Sequence, residues 1–215
     1  MRCYLVRHAQ TLGNHGHRFQ GRTDSPLSSL GRRQAQCLGA YFAGQAVGAV
    51  YSSPLNRSIQ TAQAIAVSRD TVVKIEPGLA EIDFGAWEGL TTDEVETRFK
   101  HAYSQWLRNP LQVRIPGGEF YEQFRLRVRQ TLTDIVARHR TERAPAIVVV
   151  SHGGVITSLL AESLGADYGQ LLRHLVLEHA SVSAVEWRAR SSSVLWMNAT
   201  THLDSLNKRH AHSAR

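Results

Sequence analysis

A chain of 215 residues is long enough for one large domain with a well-filled core. With 42% hydrophobic and 20% charged residues it reads as a soluble globular protein rather than a disordered or fibrous one, and no apolar run approaches the roughly 20 residues of a bilayer-spanning helix. The net charge of +7 is scattered and partly held at the C-terminus; it reads first as solubility and second as a preference for an anionic ligand, and the lack of zinc-finger or aromatic RNA-binding spacing argues against nucleic acid as a partner.

The run Cys3-Tyr4-Leu5-Val6 is apolar at consecutive positions and reads as a strand buried on both faces. Arg7 and His8 follow where it runs out. Open α/β sheets bind ligands at the carboxyl ends of their strands. Arg offers a planar fork of donors that matches phosphate oxygens, and neutral His offers a ring-nitrogen nucleophile near pH 7. Residues 12–28 are rich in Gly, His, Asn, Arg and Asp, which is loop chemistry. His15 and His17 within it form a His-x-His pair that could hold a metal ion, although a polar loop is the simpler reading. Ser28 or Ser29 can cap a helix running to about Phe42.

Residues 47–51 read as a second buried strand, ending in Ser52-Ser53-Pro54. The proline stops the ladder and opens a helix over 55–66, with Arg57 in its first turn. A third short strand spans 72–75. Residues 79–89 form a loop bearing Glu81, Asp83 and Glu88. Thr92 is expected to cap a helical stretch to about Leu107, and 109–118, with two prolines and a Gly pair, is a connection. A long amphipathic helix follows over about 119–140, with Phe124, Val128, Leu132, Ile135 and Val136 as its apolar stripe. Residues 146–150 are the clearest buried strand, running straight into Ser151-His152-Gly153-Gly154 and a helix over 155–164. A helix starting at that Gly pair can present backbone N–H groups to an anion. Residues 182–187 and 194–197 read as a final antiparallel pair, and 201–215 as a polar, disordered tail.

Strands alternating with helices predict an α/β three-layer sandwich: a mostly parallel central sheet flanked by helices, with a helical lid excursion over about 82–118. Domain content is thus a single unit over 1–200. Arg7, His8, Arg57, a carboxylate of the 81–88 loop and His152 can all converge on one sheet edge. Spacing does not choose among Glu81, Asp83 and Glu88. Cys3 and Cys37 show no disulfide framework or metal spacing and read as thiols of a reducing compartment. With the Arg-His pair already at positions 7 and 8, no secretory leader is expected, and the location expected is cytoplasmic.

In motif order, these features resemble the histidine phosphatase superfamily, also called phosphoglycerate mutase-like, over about residues 3–190. Leu5-Val6-Arg7-His8-Ala9-Gln10-Thr11 resembles its Arg-His-Gly motif, with Asn14 at the position of its phosphate-site Asn. Phe19-Gln20-Gly21-Arg22 is similar to the loop that follows. Tyr51-Ser52-Ser53-Pro54-Leu55-Asn56-Arg57 resembles its second Arg motif, and Ser151-His152-Gly153-Gly154 its second His motif. Glu81 with Phe84-Gly85 and Trp87-Glu88-Gly89 looks like the acid-bearing loop of its bacterial phosphatases, alpha-ribazole phosphatases among them. The resemblance implies a metal-independent phosphomonoesterase with no cofactor, acting on a small phosphorylated substrate as a monomer or homodimer. It implies His8 as nucleophile, Glu81 as acid and base, and Arg7, Arg57 and His152 as phosphate-site residues. Asn14, Gln20, Gly21 and Gly153 become candidates for the substrate side, and Asp83 and Glu88 are left solvated or structural. Two competing functions are phosphoglycerate mutase-type transfer and a non-catalytic phospho-ligand or nucleic-acid binder. Two departures stand out. Ala9 occupies the family's usual Gly position, so its φ must be negative, and Phe120 stands where many bacterial members have Ser.

Overall fold

Two strands with apolar, buried interiors pair in parallel at the centre of a six-stranded sheet: β1 (Arg2–Arg7) and β4 (Ala146–Ser151). The computed structural model describes residues 1–14, 18–139, 146–188 and 191–206. With β2 (Ala49–Ser52), β3 (Val73–Ile75), β5 (Val182–Trp187) and β6 (Ser192–Ala199), the strand order is β3-β2-β4-β1-β5-β6. The β3, β2, β4 and β1 pairings are parallel, and β5 and β6 add an antiparallel edge. The expected α/β sandwich with a mostly parallel sheet is what forms.

The alternation of side chains along a strand sends Leu5, Tyr51, Ile147 and Val149 to one face and Val6, Val50, Val148 and Val150 to the other. The first face packs on α5 (Tyr121–Arg138) and α6 (Gly153–Leu164), the second on α1 (Ser29–Ala43) and α2 (Asn56–Val67). Along α5, Phe124, Val128, Leu132 and Ile135 are fully buried. Each contributes roughly 1.5–3 kcal/mol, so tertiary burial rather than local propensity seats this helix.

Segment 82–118 holds α3 (Thr92–Arg98) and α4 (Lys100–Arg108) over a separate cluster of Trp87, Val95, Tyr103, Val113 and Ile115. The cap of α3 is Thr91 rather than the expected Thr92. Thr91 has Glu94 three residues on, so hydroxyl and carboxylate exchange backbone hydrogen bonds in a capping box; Thr92 would have faced Val95. A seventh helix, α7 (Tyr168–His174), was not expected; Asp167 caps it by accepting from Gln170 N–H at 2.7 Å.

The expected disordered tail from residue 201 needs correction. Thr201–Leu203 forms a helical turn, and Leu203 is buried beside α1 because the polar stretch carries this apolar anchor. Residues 207–215 lie outside the described residues. Among the described residues no helix is long and apolar enough to cross a membrane.

Candidate active site

The parallel register pairs Arg7 with Ser151, and the ladder runs one residue further, His8 N–H donating to Ser151 O at 2.8 Å. His8 and His152 therefore leave adjacent strands at the same level, with ring centroids 5.2 Å apart. On the other side of β4, Ser53 N–H extends the β2 ladder to Val150 O at 3.0 Å, which brings Ser53 Oγ to 2.7 Å from His152 Nε2. The sheet order thus places the ends of β1, β4 and β2 side by side on one edge.

Both histidines are buried. His8 Nδ1 lies 2.8 Å from Ala9 O. A carbonyl only accepts, so Nδ1 carries the ring proton and the lone pair is on Nε2. Burial first, then the charges of Arg57 and Arg7, push the His8 pKa well below the ordinary value, so the ring stays neutral and nucleophilic. Ala9 is absent from the positive-φ residues, as its methyl requires, and its N–H donates to Thr61 Oγ1 at 3.1 Å. Burial, then Arg57, His8 and Arg7, likewise keep His152 neutral. Ser53 Oγ accepts from Leu55 N–H and lies 2.7 Å from His152 Nε2; where its hydroxyl donates to that nitrogen, the His152 ring proton sits on Nδ1.

Arg57 is 0% exposed although it starts a helix. Its guanidinium donates to Gly21 O at 2.6 Å, Thr23 O at 2.9 Å and Asp24 Oδ1 at 3.3 Å. Leu55 offers no side-chain cap to α2, and Asp24 fills that role by accepting from Asn56 and Arg57 N–H. Arg7 donates to Leu177 O and, at 3.1 Å, to His179 Nε2. Burial, then Arg7, lowers the His179 pKa to about 3, so its neutral ring accepts. Arg7 Nε and Arg57 Nε are buried donors with no acceptor among the described residues, and His152 Nδ1 is a buried ring nitrogen with no partner among them. Leaving such groups unpaired costs about 1–3 kcal/mol each, and the oxygens of a phosphoryl group would satisfy them.

Glu81 is 8% exposed, with Oε1 accepting from its neighbour Ile82 N–H and Oε2 from Gly154 N–H, both at 2.9 Å. Burial raises its pKa, opposed by those two N–H groups and then by Arg57 and Arg7. Gly154 N–H therefore serves the carboxylate rather than a ligand, while Gly153 lies beside Arg7 Nε. A Cβ on residue 154 would fall 2.6 Å from Glu81 Oε1. Gly154→Ala is thus expected to displace the carboxyl group and lower kcat on an alkyl phosphate at least about tenfold, since roughly 1 Å of misplacement can cost 10²-fold. Steady-state kinetics on folded variant checks this, and an unchanged kcat would show that the carboxylate does not act from this position.

The other two carboxylates have structural work. Asp83 Oδ1 accepts from Gly85 N–H at 2.8 Å. Glu88 accepts from Arg22 N–H and Thr23 N–H, both at 2.6 Å, from Phe84 N–H at 3.2 Å and from the Thr23 hydroxyl. Asn14 Oδ1 accepts from Thr11 N–H at 2.8 Å, and Asn14 Nδ2 donates to Gln20 Oε1 at 3.2 Å, so both amides brace the first loop. Gly21 contributes its carbonyl to Arg57. His15 and His17 lie outside the described residues, and among those described no group of three or more His, Cys, Asp or Glu side chains could hold a metal ion. Sequence reasoning missed Asp24 and His179; Asp24 acts on a helix start 32 residues away and His179 on Arg7, and no local signal marks either.

The sequence pattern of the histidine phosphatase superfamily (branch 1) matches residues 3–200. The chain belongs to the histidine phosphatase superfamily. Among histidine phosphatase relatives, "Phosphoserine phosphatase 1" of Hydrogenobacter thermophilus is 32% identical over 203 residues, covering 94% of each chain. "Probable phosphoglycerate mutase GpmB" of Yersinia pestis is 30% identical over 209 residues, covering 95% of each. The crystal structure of the Alpha-ribazole Phosphatase from Shigella flexneri superposes with a TM-score of 0.82 at 26% identity, covering 93% of this chain and 96% of that one. Phe120, where many histidine phosphatases have Ser, precedes α5 without a side-chain cap and lies 4.7 Å from the Arg114 guanidinium.

Proposed function

We propose that this histidine phosphatase hydrolyses a small phosphorylated metabolite through a phosphohistidine on His8, with Glu81 as acid and base and no metal ion. The enzyme class is that of a phosphoric monoester hydrolase. The observation that carries the mechanism is the His8 ring, neutral, with its lone pair on Nε2, set among two arginines and a buried carboxyl group.

His8 Nε2 attacks phosphorus, forming a P–N bond as the ester P–O bond breaks. Arg7, Arg57 and His152 Nδ1–H hold the equatorial oxygens, supplying the charge stabilisation that metal ions supply elsewhere. Protonated Glu81 gives its proton to the departing alkoxide. Burial already raises its pKa, and a phosphate dianion beside it raises it further. The resulting carboxylate takes a proton from water, whose oxygen attacks phosphorus; the P–N bond breaks and His8 is restored.

Relatives named for phosphoserine and alpha-ribazole support a small substrate. The relative named as a phosphoglycerate mutase supports a second reading, in which the phosphoryl group returns to substrate instead of passing to water. The free thiols Cys3 and Cys37 fit the reducing cytoplasm.

Chelator-treated protein is expected to release phosphate from monoesters at an unchanged rate, and vanadate to inhibit by mimicking trigonal phosphorus. Loss of activity that zinc or magnesium restores would contradict the metal-free mechanism. Given 3-phosphoglycerate, the enzyme is expected to release phosphate or do nothing; efficient isomerisation to 2-phosphoglycerate would favour the mutase reading.

A further inference from the structure

The acid-bearing loop is clasped from outside the site by one guanidinium. Arg127, on α5, donates from Nη1 to Gly78 O at 2.8 Å and to Ala80 O at 2.9 Å. Its Nε and Nη2 bind the two oxygens of Glu119 at 2.9 and 2.7 Å. Glu119 in turn donates its own N–H to Asp83 O at 2.9 Å. The backbone is therefore gripped at Ala80 on one side of Glu81 and at Asp83 on the other, by two residues joined through a bidentate ion pair.

The same surface of α5 touches the loop again one turn further on. A Cβ on Gly78 would overlap Thr131 Oγ1, so the chain leading to Glu81 is pressed against the helix. Arg127 also stacks over Phe124, with its guanidinium carbon 5.2 Å from the ring centroid, and Phe124 belongs to the stripe that anchors α5 in the core. The contacts that orient the Glu81 carboxyl group come from Ile82 and Gly154 N–H; neither fixes the backbone from which the side chain springs.

We propose that Arg127 is a positioning residue for Glu81: with Glu119 it seats the acid loop on α5 and so sets where the carboxyl proton is delivered. This rests on the reading of Glu81 as general acid. A guanidinium is needed, because a lysine ammonium is a point charge without the planar fork that meets two carbonyls and both carboxylate oxygens at once.

The experiment compares Arg127→Gln, Glu81→Gln and the double variant on an alkyl phosphate and on p-nitrophenyl phosphate, with vanadate inhibition and thermal unfolding measured in parallel. Arg127→Gln is expected to slow alkyl phosphate turnover about tenfold to hundredfold, the scale of a small displacement of a catalytic group. The nitrophenol burst, which needs no acid, should change less than about threefold, and vanadate affinity should not change. In the Glu81→Gln background, Arg127→Gln should add little, because a residue that acts through another gives non-additive losses. Arg127→Lys should fall between wild type and Gln. If Arg127→Gln does not fold, Glu119→Gln loosens the same clasp and should show the same pattern at smaller size.

A nitrophenol burst slowed as much as alkyl phosphate turnover, or a full multiplicative loss in the double variant, would overturn the proposal and leave Glu81 in place. A Glu81→Gln variant with no dependence on leaving group would overturn the acid assignment, and the proposal with it.

Discussion

His8→Ala is expected to lower kcat by about 10⁴-fold or more, the scale seen when a nucleophile is removed from a covalent mechanism. The neighbouring rings do not substitute for it. His152 Nε2 is engaged by Ser53 and His179 Nε2 by Arg7, and both rings are more than 5 Å from His8 between centroids. The fold should survive, since the loss is one buried ring whose Nδ1–H bonds only its neighbour's carbonyl. Kinetics on His8→Ala with the unfolding transition as a control checks this. Retention of even about a tenth of wild-type activity would mean that another group accepts the phosphoryl, or that water attacks the substrate directly.

The second large effect depends on the leaving group. Glu81→Gln keeps an acceptor for Ile82 and Gly154 N–H but cannot deliver a proton. On an alkyl phosphate, whose alkoxide must be protonated as it departs, turnover should fall about 10²–10⁴-fold. On p-nitrophenyl phosphate, phosphorylation of His8 should be much less affected because nitrophenolate leaves unaided. Dephosphorylation should still slow without a base for water, so a nitrophenol burst is expected in rapid-mixing experiments. Asp83→Asn should show no such split, since Asp83 serves Gly85 N–H. The reverse result, with Asp83→Asn split and Glu81→Gln not, would move the acid by two positions.

Much of this site was legible because the strands carrying it are short, apolar and unambiguous. Once residues 3–6, 47–51 and 146–150 are read as parallel strands, Arg7-His8, Ser53 and His152 must emerge on one edge. The choice of acid was not legible from spacing. Glu81, Asp83 and Glu88 share one loop, and only the path of that loop brings Glu81 to Gly154 and turns Glu88 back to residues 22 and 23. Asp24, His179 and Arg127 act across long sequence separations onto backbone or guanidinium groups, contacts that no local periodicity encodes. Where local chemistry did decide the outcome, finer reading was possible: Thr91 rather than Thr92 satisfies the capping box, and Asp167 with Gln170 marks α7. The first residues of the expected tail depart from it for a different reason: one buried Leu203 docks the turn Thr201–Leu203 against α1.

The most direct test of the account is chemical trapping of the intermediate. Wild-type protein mixed with a monoester carrying labelled phosphate and quenched within a turnover should hold label that is stable in base and labile in acid, the signature of a phosphoramidate. Peptide mapping should place it on His8, and His8→Ala should carry none. Label that is acid-stable, label that maps elsewhere, or a burst of product with no protein-bound phosphate would contradict a covalent phosphohistidine at this site.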